Sequence, residues 1–188
     1  MSENLRLYTS IVFGFEHVLR LVPADAWDDP SPCEGWTARD VAGHAMSVVN
    51  NVAARAGIGR QVDVFKDLAR WAGDDPATNF RAVRNRYLEA TDQPGALQRP
   101  VTSRLGEMTL DRFLGQMCVD TLVHTWDVAR ATGVDERLDP DAVSAVLRDL
   151  LARDSDLVRG PDRYADAVDL GADVDEQRRL LAYSGRTP

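Results

Sequence analysis

The apolar residues of this chain recur at helical spacing, and this periodicity constrains the fold more than any other feature. In the first clear segment, over about residues 4–22, they form one stripe that ends before Pro23. Strand signals are weak throughout, with a short extended stretch predicted only at residues 101–108. The pattern therefore predicts an all-α protein.

Helix caps and breakers predict where the later helices begin and end. Thr37, with Asp40 three residues on, resembles a capping box that opens a second helix, and Gly57 is suited to close it. The other predicted helices span residues 62–71, 77–91, 109–131, 139–153 and 173–183. We therefore expect a four-helix bundle over residues 1–135, and a C-terminal helical extension over residues 136–188 packed on it as a single structural domain.

Size and charge exclude several classes of protein. The 188 residues suit one ordinary domain, and 22 basic against 30 acidic residues give a net charge of -8. An acidic balance argues against nonspecific binding to nucleic acid or to an anionic membrane, since both need a basic face. Two cysteines cannot make a disulfide framework, and no apolar run near the start is long enough for a signal peptide or a membrane span. The expected location is cytoplasmic.

The chain has three histidines, and they differ in where they lie relative to the apolar stripes of their predicted helices. His17 lies nearly opposite the apolar stripe of the first helix, so we expect it to face solvent. Asp120 and His124 lie one turn apart on the predicted buried stripe of the fourth long helix, where an aspartate is costly unless paired or coordinated. His44 lies at the flank of the stripe of the second helix.

These positions allow two interpretations. Asp120 and His124 can form a plain ion pair, with His44 as an ordinary boundary residue. Alternatively, His44, Asp120 and His124 form a three-ligand site with open coordination positions, the pattern of a catalytic metal. The same ligand set also suits non-haem Fe(II). Spacing alone does not decide between the ion pair and the metal site.

Several residues near these positions are secondary candidates. Cys33, in the loop before the second helix, is either a fourth ligand, a nucleophile or a small buried loop residue, and the last is favoured because free cysteines are usually buried. Cys118 is expected off the buried face of its helix, with no role. Trp36 and Trp126 either hold helix ends by packing or bind a ligand, and packing is favoured.

Asp127 and Arg130 each allow two roles. Asp127 can accept a hydrogen bond from one of the histidines, or it can pair with Arg130. Arg130 is favoured as a structural ion-pair partner over a group that holds a substrate carboxylate. The sequence contains no Walker A motif, dinucleotide fingerprint, nucleophile elbow, Cys-x-x-Cys or Glu-x-x-His pattern. The nucleotide-binding, hydrolase, zinc-finger and di-iron classes are therefore disfavoured.

Three strings in the chain resemble one family. Residues 32–44 read PCEGWTARDVAGH and resemble the N-terminal signature of the DinB-like superfamily of metal-binding helical bundles. More narrowly, they resemble the branch that contains mycothiol-dependent maleylpyruvate isomerase, as does the string DTLVHTWDVARATG at residues 120–133. Residues 175–188 resemble the tail of an uncharacterised actinobacterial subgroup of that branch. The resemblance spans the whole chain and implies a DinB-like four-helix bundle.

The resemblance also implies a site and a chemistry. It places the metal triad on His44, Asp120 and His124, although the isomerase has a glutamate where this chain has Asp120, and many relatives have a histidine. It implies a divalent metal ion, zinc or nickel, with mycothiol as cosubstrate and a small-molecule electrophile as substrate for S-transfer or isomerisation. It further implies a homodimer, for which Trp71 and Phe80, outside clear stripes, are candidate contacts. The alternatives are a non-catalytic metal-binding or stress-associated bundle protein, and a structural bundle with an empty site.

Overall fold

A computed structural model of the chain describes residues 1–103, 105–153, 165–171 and 173–188. The helices in these residues are α1 (Glu3–Leu21), α2 (Ala38–Ala56), α3 (Leu68–Ala72), α4 (Pro76–Thr91), α5 (Leu110–Thr132), α6 (Pro140–Leu151) and α7 (Glu176–Tyr183). The strands β1 (Pro100–Ser103) and β2 (Gly106–Thr109) form one antiparallel hairpin, where the short extended stretch was expected. The predicted all-α class is confirmed. In the part of the chain described here, no helix is long and apolar enough to cross a bilayer.

The chain divides into two compact units, Met1–Glu136 and Arg137–Pro188. The first contains α1 to α5 and the hairpin, and the second contains α6 and α7, which pack against each other. The boundary falls one residue after the predicted end of the bundle. That the C-terminal extension packs on the bundle as a single structural domain stays a prediction.

Four long helices build the first unit. Helix α1 packs against α5 and α4, and α2 packs against the same two helices and against the short α3. Between α1 and α4, Phe15 meets Phe80 with ring centroids 5.0 Å apart, and Tyr8 meets Tyr87 at 5.5 Å, both edge to face. Edge-to-face pairs of this kind add to the stabilisation from burial. Phe80 is thus a fully buried core residue and not an exposed candidate for a dimer contact.

The ends of α2 and α5 are held by the predicted caps. The Thr37 side chain accepts a hydrogen bond from the backbone N–H of Asp40, whose carboxylate accepts one from the Thr37 N–H at 3.0 Å. Gly57 ends α2 at a φ of 112°, a left-handed conformation that favours glycine. The Thr109 side chain caps α5 by accepting a hydrogen bond from the backbone N–H of Arg112 at 3.3 Å. The capping box therefore sets where α2 begins and so where His44 lies along it.

The segment after α2 differs from the prediction. Instead of a helix over residues 62–71, only α3 is helical, and residues 58–66, which we call the return loop, run back along α2. The Asn51 side chain donates to the Val62 carbonyl and accepts from the Val62 N–H, both at 2.8 Å, while Asn50 donates to the Arg60 carbonyl at 3.0 Å. These amides satisfy backbone groups that a helix would have paired internally.

Helix α5 is more deeply buried than a one-sided stripe predicts. It contacts both α1 and α2, and every residue from 121 to 129 is buried. Cys118, expected off the buried face, is 1% exposed, and its thiol donates to the Leu114 carbonyl at 3.4 Å. That prediction was wrong because two helices, and not one, cover this part of α5.

Candidate metal centre

His44, Asp120 and His124 meet where α2 packs against α5. Asp120 Oδ1 lies 3.5 Å from His44 Nε2 and 3.7 Å from His124 Nε2, and the two imidazole rings lie 4.9 Å apart in an edge-to-face arrangement. Two ligands bound tetrahedrally to zinc at its usual distances would be separated by about 3.4 Å. One atom from each of the three side chains lies within 4.8 Å of the others. The shorter arm of aspartate therefore reaches both histidines.

The outer nitrogen of each imidazole has a hydrogen-bond acceptor. His44 Nδ1 lies 2.8 Å from the Val64 carbonyl of the return loop, and His124 Nδ1 lies 2.9 Å from Asp127 Oδ2. A carbonyl can only accept, and an ionised carboxylate likewise, so these contacts assign the proton to Nδ1 in both neutral rings. Nε2 then presents its lone pair toward Asp120. This is the tautomer and orientation that a metal-ligating histidine needs.

Burial and charge act in opposite directions on His44. The ring is 4% exposed, and burial lowers its pKa, because a charged imidazolium is poorly solvated there. The hydrogen bond to Asp120, the negative charge of Asp120 and the Val64 carbonyl outweigh this effect, so the pKa of His44 is raised above its usual 6.5. In the metal-free protein the pocket between the rings thus favours a positive charge, which a divalent cation would supply.

The donor set fits a divalent transition metal. Two imidazole nitrogens and one carboxylate oxygen are the usual ligands of catalytic zinc and also suit nickel or iron. Three protein ligands leave at least one coordination position for water or substrate. The Asp120 side chain is one-quarter exposed, whereas His44 is almost fully buried. The site is therefore more accessible at Asp120 than at His44.

Cys33 lies beside this triad on the far edge of His124. Its Sγ is 3.3 Å from Asp127 Oδ2 and 3.9 Å from His124 Nδ1. The Nδ1 and Nε2 atoms of an imidazole ring form bonds in diverging directions. Cys33 lies on the Nδ1 side of His124, so it is not placed to ligate an ion held by the Nε2 atoms of His44 and His124. Its partial exposure also differs from the buried loop residue that was favoured.

Two aromatic side chains cover the histidines. The Trp36 ring lies 5.2 Å from the His44 ring and 6.4 Å from the His124 ring. Phe65, from the return loop, lies 5.4 Å from the His44 ring and is 44% exposed. Packing at a helix end was favoured for Trp36 over ligand binding, and the structure places its ring directly against the candidate ligands His44 and His124. Together the two rings form an apolar wall at the site.

The remaining predicted residues separate into two roles. Asp127 is fully buried and accepts from His124, as one of its two interpretations required. Arg130 instead pairs with Glu136 at 3.1 Å and stacks on Trp126, whose indole N–H donates to the same carboxylate at 3.1 Å. Arg130 and Trp126 thus connect the C-terminal end of α5 to Glu136. His17 is exposed, as predicted.

A sequence model of one family, described as the mycothiol maleylpyruvate isomerase N-terminal domain, matches residues 14–129. The chain belongs to this family. Among its relatives are two uncharacterized proteins of Mycobacterium tuberculosis, from strains CDC 1551 / Oshkosh and ATCC 25618 / H37Rv. Each is 30% identical over 175 residues, which cover 93% of this chain and 92% of the relative.

A solved structure of the same family shows the same fold. The crystal structure of the mycothiol-dependent maleylpyruvate isomerase superposes with a TM-score of 0.53 at 20% identity, covering 80% of this chain and 67% of that one. At this identity the likeness concerns the fold, and it confirms the predicted DinB-like bundle. All three candidate ligands lie inside the segment that the family model matches.

Sequence reasoning missed the contribution of the return loop to the site. Val64 supplies the carbonyl that orients His44, and Phe65 supplies half of the apolar wall. Backbone carbonyls carry no residue signature, so the part played by Val64 cannot be read from the sequence. Phe65 fell in a segment predicted to be helical, where its position relative to α2 could not be inferred.

Proposed function

We propose that this member of the family is a divalent-metal-dependent enzyme that uses a low-molecular-weight thiol, mycothiol, for S-transfer to or isomerisation of a small-molecule electrophile. The observation that carries the proposal is the convergence of His44 Nε2, His124 Nε2 and Asp120 Oδ1. The proposed metal ligands are these three side chains, with zinc or nickel as the expected metal. The thiol is supported by the family to which the chain belongs.

Each residue of the site has a distinct part in this function. The contacts of His44 with Val64 and of His124 with Asp127 keep the Nε2 atom of each ring directed at the proposed metal position. Neither ring therefore has to reorient before it binds a cation. Asp120 contributes the negative charge that partly neutralises the ion. A divalent cation bound there would lower the pKa of a coordinated thiol and so supply a thiolate at neutral pH.

The apolar wall limits the water that reaches the histidines. The ring centroids of Trp36 and Phe65 lie 5.2 and 5.4 Å from that of His44, within the contact range of aromatic rings. Electrostatic interactions are stronger where water is excluded. The wall therefore strengthens the attraction between the triad and a cation, while the partly exposed Asp120 leaves an approach for the thiol and the substrate.

Metal content tests the ligand assignment. Protein purified without an affinity tag should contain close to one divalent ion per chain, and His44→Ala should lose most of it. His17→Ala is the matched control, because His17 is exposed on α1 and should leave the metal content unchanged. Equal metal in the wild type and in His44→Ala would show that the site assignment is wrong.

Titration with mycothiol tests the enzymatic part. In cobalt-substituted protein, mycothiol should produce a sulfur-to-metal charge-transfer band that is lost in His124→Ala, and a panel of electrophiles should then be turned over only with both metal and thiol. If the protein holds metal but millimolar thiol leaves the cobalt spectrum unchanged, the non-catalytic metal-binding alternative takes the place of the enzyme.

The proposal includes a homodimer. Of the two candidate contact residues, Phe80 is buried in the core and Trp71 is partly exposed. Trp71 therefore remains a candidate for the dimer contact. Light scattering should give about twice the chain mass of 20.8 kDa. A mass near that of one chain across micromolar concentrations would contradict it.

A further inference from the structure

We propose that Cys33 is a positioning residue for the metal centre and that it acts on His124 through Asp127. The inference rests on the metal site of the proposed function, but it concerns a residue outside the ligand triad. Cys33 is the partly exposed one of the two cysteines, and it lies against the buried carboxylate that orients one of the two histidine ligands.

Both donors meet on one oxygen atom. Asp127 Oδ2 accepts from His124 Nδ1 at 2.9 Å and from the Cys33 thiol at 3.3 Å, and Sγ is 3.9 Å from the same Nδ1. The carboxylate torsion of aspartate has a broad energy profile, so each donor to Asp127 narrows the range of orientations that its carboxylate can adopt. Two donors that converge from different directions hold Oδ2 in line with the Nδ1–H of His124.

The position of Cys33 is set by its backbone and not by its side chain. Its N–H donates to Ser31 Oγ at 3.2 Å, and its carbonyl accepts from the Ser31 hydroxyl at 3.3 Å and from the Trp36 N–H at 3.0 Å. The same turn brings Trp36 against His44 and His124. Removing the thiol should therefore leave this turn in place, so that a variant tests the hydrogen bond alone.

Losing the thiol should weaken metal binding. A buried carboxylate with one donor fewer is less well stabilised, and it is less firmly aligned with His124. Removing the direct partner of a metal-ligating histidine typically lowers metal affinity 10- to 100-fold. Cys33 acts on His124 through one additional hydrogen bond, the one to Asp127, so we expect a smaller loss of metal affinity, about three- to tenfold.

The experiment compares Cys33→Ala, which removes the donor, with Cys33→Ser, which keeps one. Cys118→Ser is the matched control, because the Cys118 thiol is buried on α5 and donates to the Leu114 carbonyl, whereas the Cys33 thiol donates to Asp127. Competition with a chromophoric chelator should show weaker binding in Cys33→Ala only, with wild-type affinity to within about twofold in the other two. The ligand-field bands of the cobalt protein should shift in Cys33→Ala and return in Cys33→Ser. Equal affinity and equal spectra in Cys33→Ala and the wild type would overturn the proposal, as would a loss in Cys33→Ser as large as in Cys33→Ala.

A second measurement does not need the metal. In metal-free protein, the Nδ1 proton of His124, observed by NMR in ¹⁵N-labelled samples, should change its chemical shift in Cys33→Ala and recover in Cys33→Ser. If the wild type binds no metal, the proposed function fails, but this signal still tests whether Cys33 acts on His124. An Nδ1 resonance that is identical in Cys33→Ala and the wild type would overturn the inference by itself.

Discussion

Replacing Asn51 with alanine should release the return loop from α2. The Asn51 amide makes two hydrogen bonds of 2.8 Å to the backbone of Val62, one as donor and one as acceptor. A typical hydrogen bond contributes about 1 kcal/mol net, so the pair stabilises the closed loop by about 2 kcal/mol. Since 1.4 kcal/mol is a factor of ten, the open form of the loop should become about 30-fold more populated.

Hydrogen exchange measures this population directly. The Val62 N–H is protected by Asn51 Oδ1, so in Asn51→Ala its exchange should accelerate by about 30-fold under conditions where exchange reports the opening equilibrium. Asn79→Ala is the matched control, because the Asn79 amide donates to the Ala72 carbonyl at 2.8 Å, outside the return loop. Val62 exchange in Asn51→Ala within twofold of the wild type would refute the view that this side chain holds the loop.

The same substitution should reach the metal centre. The return loop carries the Val64 carbonyl that orients His44, so a more open loop leaves that imidazole less constrained. Complete loss of such a partner costs about 10- to 100-fold in metal affinity, so this factor is the upper bound of the loss expected in Asn51→Ala, where the loop is open only part of the time. Asn51→Asp, which keeps the acceptor for the Val62 N–H but loses the donor to its carbonyl, should fall between the wild type and alanine.

Three further outcomes follow from other contacts. Asp127→Asn keeps the shape but removes the charge, and should lower metal affinity by about 10- to 100-fold in chelator competition. Because the hydrogen bond to Asp120 and its negative charge raise the pKa of His44, protons should compete with the cation for this imidazole, and the apparent metal affinity should fall as the pH falls through that pKa; an affinity in chelator competition that is the same at about pH 8 and about pH 5.5 would contradict this. Arg84→Ala should destabilise the protein by about 2 kcal/mol in chemical unfolding, because the buried Glu16 loses one charged hydrogen-bond partner and retains Arg81. Arg81→Ala should cost less than about 1 kcal/mol, since Arg81 is half-exposed.

The parts of the fold that local rules govern could be predicted from the sequence. The capping box at Thr37 and Asp40 and the left-handed glycine at Gly57 depend only on neighbouring residues, and the structure contains both. The proximity of Asp120 and His124 is likewise local, because residues four apart on a helix are neighbours. That His44 joins them depends on how α2 packs against α5, which periodicity does not specify; the residue pattern allowed this pairing as one of two interpretations, and the family resemblance favoured it.

The failures share a physical cause, which is competition from a distant partner. Val62 and Phe65 lie three residues apart and so suggest a helix, but the Asn51 amide, from the preceding helix, binds the backbone of Val62 instead. Cys118 was placed by assuming one buried face on α5, whereas two helices cover it. Phe80 lay outside a clear apolar stripe and was therefore named as a candidate dimer contact, but it pairs with Phe15 in the core.

The two histidines of the site differ in how natural variation can alter them. His44 is oriented by a main-chain carbonyl, so the residue at position 64 can change its side chain without changing that partner. His124 is oriented by a side chain, Asp127, which a single base change in the gene can convert into another acceptor or into none. A substitution at position 64 therefore leaves the partner of His44 in place, whereas a substitution at position 127 changes the partner of His124, so variation in how the histidines of this site are oriented should arise mainly at position 127 and at the residues that touch it.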